Sequence, residues 1–186
     1  MQEPERCQGA TLSELLVVLA IAALLLSMAA PSLSAFVTRV RLKAASDLLV
    51  AHLHLARSEA IKRNSRAVLC KSADGQHCAT AGGWEQGWIV FHDANGNAFV
   101  DPGETILQQQ GALRGLLSFS GNALITDYVA YTPDGGANRV SGAFQAGTFI
   151  LCALSDVPMQ ARQIVISKAG QIRVALVSGS MCDQPG

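Results

Sequence analysis

The chain has 186 residues, room for one ordinary globular domain with a tail. Its 49% hydrophobic content and aperiodic glycine exclude a disordered or collagen-like chain, and 14 basic against 14 acidic residues leave no global positive field of the kind that marks a nucleic-acid binder. Only one stretch is long and apolar enough to span a bilayer, which excludes a polytopic membrane protein.

That stretch comes first in the chain. Leu15 to Ala30 reads LLVVLAIAALLLSMAA, and the uncharged run continues to Thr38 before Arg39, Arg41 and Lys43. Nine of those first sixteen residues are Leu, Val or Ile, which supply roughly −3 to −5 kcal/mol towards insertion. The basic cluster that follows would, by the positive-inside tendency, lie in the cytoplasm. Glu14 stands at the edge of the run, where a carboxylate is costly unless it stays solvated at the interface or finds a partner. Ser27-Met28-Ala29 could serve as a secretory cleavage site, but the opening MQEPER is not net positive and an acid directly precedes the apolar core.

The stretch Gly9-Ala10-Thr11-Leu12-Ser13-Glu14-Leu15 resembles the class III leader junction of type IV pilins and pseudopilins. The resemblance implies a leader of residues 1–9 removed by prepilin peptidase after Gly9, an N-methylated start at Ala10, where the family commonly has Phe, and Glu14 as the fifth residue of the mature chain. In such filaments that glutamate pairs with the N-terminal amine of a neighbouring subunit, and an apolar filament core makes the pairing a specifier of register. The implied topology puts the leader in the cytoplasm and the body in the periplasm, so the cations after Thr38 depart from the positive-inside tendency. Residues 10–38 are then a transmembrane and filament-core helix, in which Pro31 permits a kink.

From residue 39 to 64 the helix continues as an amphipathic half, with Leu42, Ala45, Leu49, Leu53, Ala56 and Ala60 forming one apolar stripe at three- and four-residue steps. Leu55 to Asn64 resembles the helix end of the FimT/FimU–GspH branch of minor pilins. His52 and His54 fall on different helical faces and make no metal pair. Beyond Asn64 the chain reads as a β-rich head, residues 65–186. Strands are expected at Arg66–Lys71, Gly87–Phe91, Thr105–Gln109, Gly115–Phe119, Asp127–Thr132, Gly147–Leu154, Gln163–Ser167 and Ile172–Val177. The fold class is therefore α+β, and the resemblance implies a pilin-like arrangement, a long N-terminal helix packed on an antiparallel β head.

With Cys7 lost in the leader, four cysteines remain and allow three pairings. The favoured one joins Cys70 to Cys78 and Cys152 to Cys182, with reduced thiols in a core as the alternative. Asp93, Asn95, Asn97, Asp101 and Glu104 place oxygens at an EF-hand-like spacing that calcium could use. The same pattern also suits a turn-rich β connection whose side chains bond their own backbone. Gly87 to Asp93, running on to Glu104 and Leu107, resembles the signature of the FimT/FimU–GspH branch. In some FimT-like proteins a late Gly-Arg-x-Arg segment binds DNA. Here Gly170-Gln171-Ile172-Arg173 stands at that place without the first arginine, and Arg162, Lys168 and Arg173 are the cations that could contact phosphates.

Charge is unevenly spread. Arg39 to Lys71 holds eight basic residues against two acids, and Ser72 to Asn138 seven acids against Arg114 alone. That segregation suits either solvated faces or a basic face near a membrane or partner. No nucleophile–base spacing or nucleotide loop is present, and His77 and His92 stand alone, so an enzyme and a resident cofactor are not expected. The resemblance implies a minor pilin at or near the tip of a type IV pilus, where it helps initiate assembly. Its partners would be other pilin subunits, prepilin peptidase and the inner membrane, crossed once with the head in the periplasm. A DNA-binding pilin of natural transformation and a GspH-like minor pseudopilin of type II secretion are the alternatives.

Overall fold

The computed structural model describes residues 11–115, 117–154 and 161–183, and within these the backbone but not the side chains of residues 27–32. One long helix, α1 (Leu12–Arg63), opens the chain. The helix assignment runs unbroken through Pro31, the position of the expected kink. It ends at Asn64, whose φ of 48° is left-handed. There the Asn64 N–H donates to Ile61 O (3.3 Å) and the Ser65 N–H to Ala60 O (3.2 Å), so the last carbonyls are satisfied as in a Schellman motif. Asparagine enters this conformation more readily than other side-chain-bearing residues because its short polar side chain bonds locally.

The chain divides into two compact units at Val40/Arg41. In the first unit the described apolar side chains from Leu12 to Leu26 are largely exposed. Among the described residues no helix is long and apolar enough to cross a membrane, the described side chains of the apolar run stopping at Leu26 and resuming at Leu33.

The second unit holds the rest of α1 and eight strands: β1 (Arg66–Lys71), β2 (Trp88–Asp93), β3 (Ile106–Gln110), β4 (Leu117–Gly121), β5 (Tyr128–Tyr131), β6 (Gly147–Ala153), β7 (Ala161–Ile166) and β8 (Ile172–Val177). Every expected strand is present, β1 and β8 with the expected bounds and the other six with ends moved by at most two residues. They form two antiparallel four-stranded sheets, in the orders β3-β2-β1-β5 and β4-β6-β7-β8.

All six residues of the expected helical stripe are buried and form one core cluster with inward residues of both sheets. Leu42, Leu49 and Leu53 each contribute roughly 1.5–3 kcal/mol by burial, while Ala45, Ala56 and Ala60 let the helix backbone approach the sheets closely. Strand alternation separates a second cluster. Ala67, Leu69, Trp88 and Val90 face the helix, whereas Val68, Cys70, Ile89 and Phe91 face a smaller core on the other side of the first sheet. This explains why β1 and β2 read as continuous apolar runs: they are covered on both faces. A chain of edge-to-face rings ties the sheets together, Trp88 to Phe119 (6.1 Å between centroids), Phe119 to Phe149 (5.6 Å) and Phe149 to Trp84 (5.0 Å).

Candidate functional site

Glu14 sits in the first turn of α1, and Thr11 is the residue before the helix. The Thr11 N–H donates to Glu14 Oε2 (2.8 Å), and the Glu14 N–H donates to Thr11 Oγ1 (3.4 Å). The Thr11 hydroxyl also donates to Glu14 Oε2 (2.9 Å). This is a capping box, which satisfies otherwise orphaned donors and places a carboxylate at the positive end of the helix dipole. The glutamate at the head of the apolar run therefore has a local partner within its own chain. Thr11 was not singled out in the sequence, although its Thr-x-x-Glu spacing before an apolar run is the signal that finds it. Gly9 and Ala10, the expected processing residues, lie outside the described residues.

The Asp93–Glu104 connection is built on its own hydrogen bonds. The Asp93 carboxylate accepts the N–H groups of Gly96 (2.8 Å), Asn97 (3.1 Å) and Ala98 (3.0 Å). Glu104 accepts those of Ala94 (2.8 Å) and Asp101 (3.2 Å). Asp101 Oδ2 accepts the side-chain amides of Asn95 (2.8 Å) and Asn97 (2.7 Å). Among the described residues no three His, Cys, Asp or Glu side chains gather to hold a metal. The arrangement is that of a turn-rich connection, its side chains accepting donors from the same loop. Burial lifts the Asp93 carboxyl above its ordinary range despite its N–H donors, with Glu104 adding to the rise, whereas the two asparagine amides hold Asp101 below it.

Cys70 is bridged to Cys78 (Cα–Cα 5.6 Å) and Cys152 to Cys182 (5.9 Å). Two further long-range ties escaped the sequence. Trp88 Nε1 donates to His52 Nδ1 (2.8 Å), joining helix to sheet, and burial lowers the His52 pKa. Arg57 donates from Nε to Gly135 O (2.9 Å) and from Nη2 to Ala169 O (3.1 Å), clasping the β5–β6 and β7–β8 connections to the helix. Neither residue carries a local pattern that announces its partner, since the partners are 36, 78 and 112 positions away.

Arg162, Lys168 and Arg173 do not form one cationic surface. Arg162 alternates with the buried Ile164 and Ile166 on the helix-facing side of β7, is only 16% exposed in its side chain, and lies 3.7 Å from Asp47. Arg173 pairs in register with Val165 and so stands on the opposite face. Lys168, in the turn between the two strands, places Nζ 5.4 Å from the centroid of the Phe144 ring. Gly170 is a structural part of that turn: its φ is +69°, and a Cβ there would lie 2.1 Å from Gly135 O. The sequence spacing brought three cations together, two of which the sheet sends to opposite faces while the third sits in the turn.

A family described as Type II transport protein GspH matches residues 45–170, most of the head together with the amphipathic half of α1. The chain belongs to the GspH family. A prokaryotic N-terminal methylation motif matches residues 5–30. The chain is 40% identical over 97 residues to the pilin-like protein PilA1 of Thermus thermophilus, a match covering 52% of this chain and 55% of that protein, so it spans about half the length of this relative. Among solved structures, the type IV minor pilin FimU of Pseudomonas aeruginosa aligns with a TM-score of 0.55 and 22% identity, over 78% of this chain and 94% of that one. A second crystal form of FimU aligns with a TM-score of 0.51 and 20% identity, over 72% of this chain and 91% of that one. These likenesses establish the pilin-like α+β fold expected for this GspH-family chain.

Proposed function

We propose that this GspH-family chain is a minor pilin of a type IV pilus, held by its N-terminal helix and built into the filament at or near the tip, where it helps initiate assembly. One observation carries the reading: a capped helix whose apolar side chains from Leu12 to Leu26 are exposed runs in one continuous element into the helix of a folded β head. So large an apolar surface on a soluble body requires a bilayer or neighbouring subunits to cover it. The uncharged run that the sequence continues to Thr38, the N-terminal methylation motif and the likeness to FimU support the same reading. In it, residues 1–9 are removed after Gly9, Ala10 is methylated, and Glu14 exchanges its bonds to Thr11 for the amine of a neighbour during assembly. The head stands in the periplasm.

Mass spectrometry of the native protein tests the processing step. A chain that starts at methylated Ala10 is the expected result, and an intact leader or a cut near Ala29 overturns the reading. The description of the matching family, Type II transport protein, favours a second reading as a minor pseudopilin. Deleting the gene separates the two: loss of surface pili with secretion intact supports the pilus, and the reverse supports secretion.

A further inference from the structure

Most basic side chains in the structure are already engaged. Lys43 pairs with Asp47, Lys62 and Arg63 with Glu59, Lys71 with Asp127 and Arg162 with Asp47; Arg57 and Arg66 bond carbonyls, and Lys168 covers an aromatic ring. Among the described residues Arg39, Arg41, Arg114, Arg139 and Arg173 have no such partner. One of these five, Arg41, is met by a distant part of the chain. The β3–β4 connection lays Gly115 against Arg41, so that a Cβ on Gly115 would lie 3.5 Å from Arg41 Nη1 and 3.8 Å from its Cδ. Arg114 is the residue just before. Just before Arg114 this connection is pinned by the Leu113 N–H on Glu85 O (2.8 Å), and Leu113 packs on the core; just after it the Leu117 N–H turns back onto Gly115 O (3.1 Å). Arg41 and Arg114 are both exposed. The Arg41 guanidinium therefore lies beside the residue that follows Arg114, and among the described residues neither arginine is paired with an acid, an arrangement that suits an external anion.

The place in the chain says which anion. Arg41 follows Thr38, the last residue of the uncharged run, by three positions, or about 4.5 Å of helix rise. The polar headgroup layer on each side of a bilayer is about 5–7 Å thick, so a helix that buries the uncharged run holds Arg41 at the depth of the lipid phosphates. A guanidinium matches a phosphate with two parallel N–H bonds, and two guanidinium groups can hold one phosphate from both sides.

We propose that Arg41 and Arg114 form a docking point for the headgroup phosphate of an anionic phospholipid, which sets how the head sits on the membrane before the subunit is drawn into a filament. The inference rests on the membrane-anchored reading above. It gives the cations after Thr38 a role that helix orientation alone does not.

The test uses the full chain reconstituted into vesicles of phosphatidylcholine and phosphatidylglycerol in equal parts, with a trace of either lipid spin-labelled. The motionally restricted part of the spectrum counts lipid held at the protein. Wild type should restrict labelled phosphatidylglycerol in excess over labelled phosphatidylcholine, and high salt should remove the excess. Arg41→Gln and Arg114→Gln should each lower the preference about fivefold, the ratio that ~1 kcal/mol per basic residue near the surface corresponds to. Arg173→Gln, an exposed arginine on β8, should leave it unchanged. An unaltered preference in the Arg41→Gln/Arg114→Gln chain, or an equal loss in Arg173→Gln, overturns the inference while the anchored reading stands. A chain retained by neither labelled nor unlabelled vesicles overturns both.

Discussion

Replacing Gly170 by alanine tests whether the clasp around Arg57 holds the head together. Gly170 has a φ of +69°, and its missing side chain leaves room for Gly135 O, Tyr131 Cε1 and Arg57 Nε, which a Cβ would meet at 2.1, 3.0 and 3.2 Å. A left-handed conformation costs an alanine roughly 1–2 kcal/mol. The closest clash is with backbone, so the carbonyl of Gly135 has to move, and it is the acceptor of the 2.9 Å bond from Arg57 Nε. Losing a hydrogen bond to a charged group costs roughly 1.5–3 kcal/mol. Together the change removes about 3–5 kcal/mol. For a chain of this size that lowers the melting temperature by about 6–20 °C. The assay is thermal unfolding of the full chain in detergent, followed by circular dichroism. Arg57→Met loses both carbonyl bonds without straining the backbone, so Gly170→Ala should cost less in that background than in wild type. A Gly170→Ala chain that melts with wild type, or strictly additive effects of the two changes, refutes the clasp.

Two other consequences concern acid and reductant. His52 accepts a proton less readily when folded than when unfolded, so stability is full above the unfolded value of about 6.5 and falls as pH drops through the lowered folded value. His52→Gln keeps an acceptor for Trp88 and should flatten that slope in urea midpoints measured across the range; an unchanged slope would assign it to another group. The Cys152–Cys182 bridge spans 30 residues and Cys70–Cys78 spans 8, so loop entropy assigns them about 3.5 and about 2.5 kcal/mol. Serine pairs at each bridge should lower the urea midpoint in that order, and the reverse order would show that burial rather than loop length sets their contribution.

The Asp93–Glu104 connection shows where sequence pattern stops short. Oxygen-bearing residues at alternating positions suit both a cation cage and a network of turns, because both require side-chain oxygens to point into the same loop. Here three backbone N–H groups converge on Asp93, and the amides of Asn95 and Asn97 close on Asp101. Similarly, Arg162, Lys168 and Arg173 stand close along the chain, yet strand alternation sends Arg162 and Arg173 to opposite faces.

What could be read directly from the residues was what depends on near neighbours. The six-residue stripe of α1, the strands bounded by Gly, Asn and Asp, and the acid at the head of an apolar run all follow from periodicity, turn chemistry and desolvation, each a matter of a few positions. The division into two sheets, the His52–Trp88 bond, the Arg57 clasp and the approach of Arg41 to Gly115 were settled only by the folded chain. Those contacts join residues tens to more than a hundred positions apart, and each is made only when packing of the whole head brings a donor within reach of a carbonyl or ring that no local pattern marks.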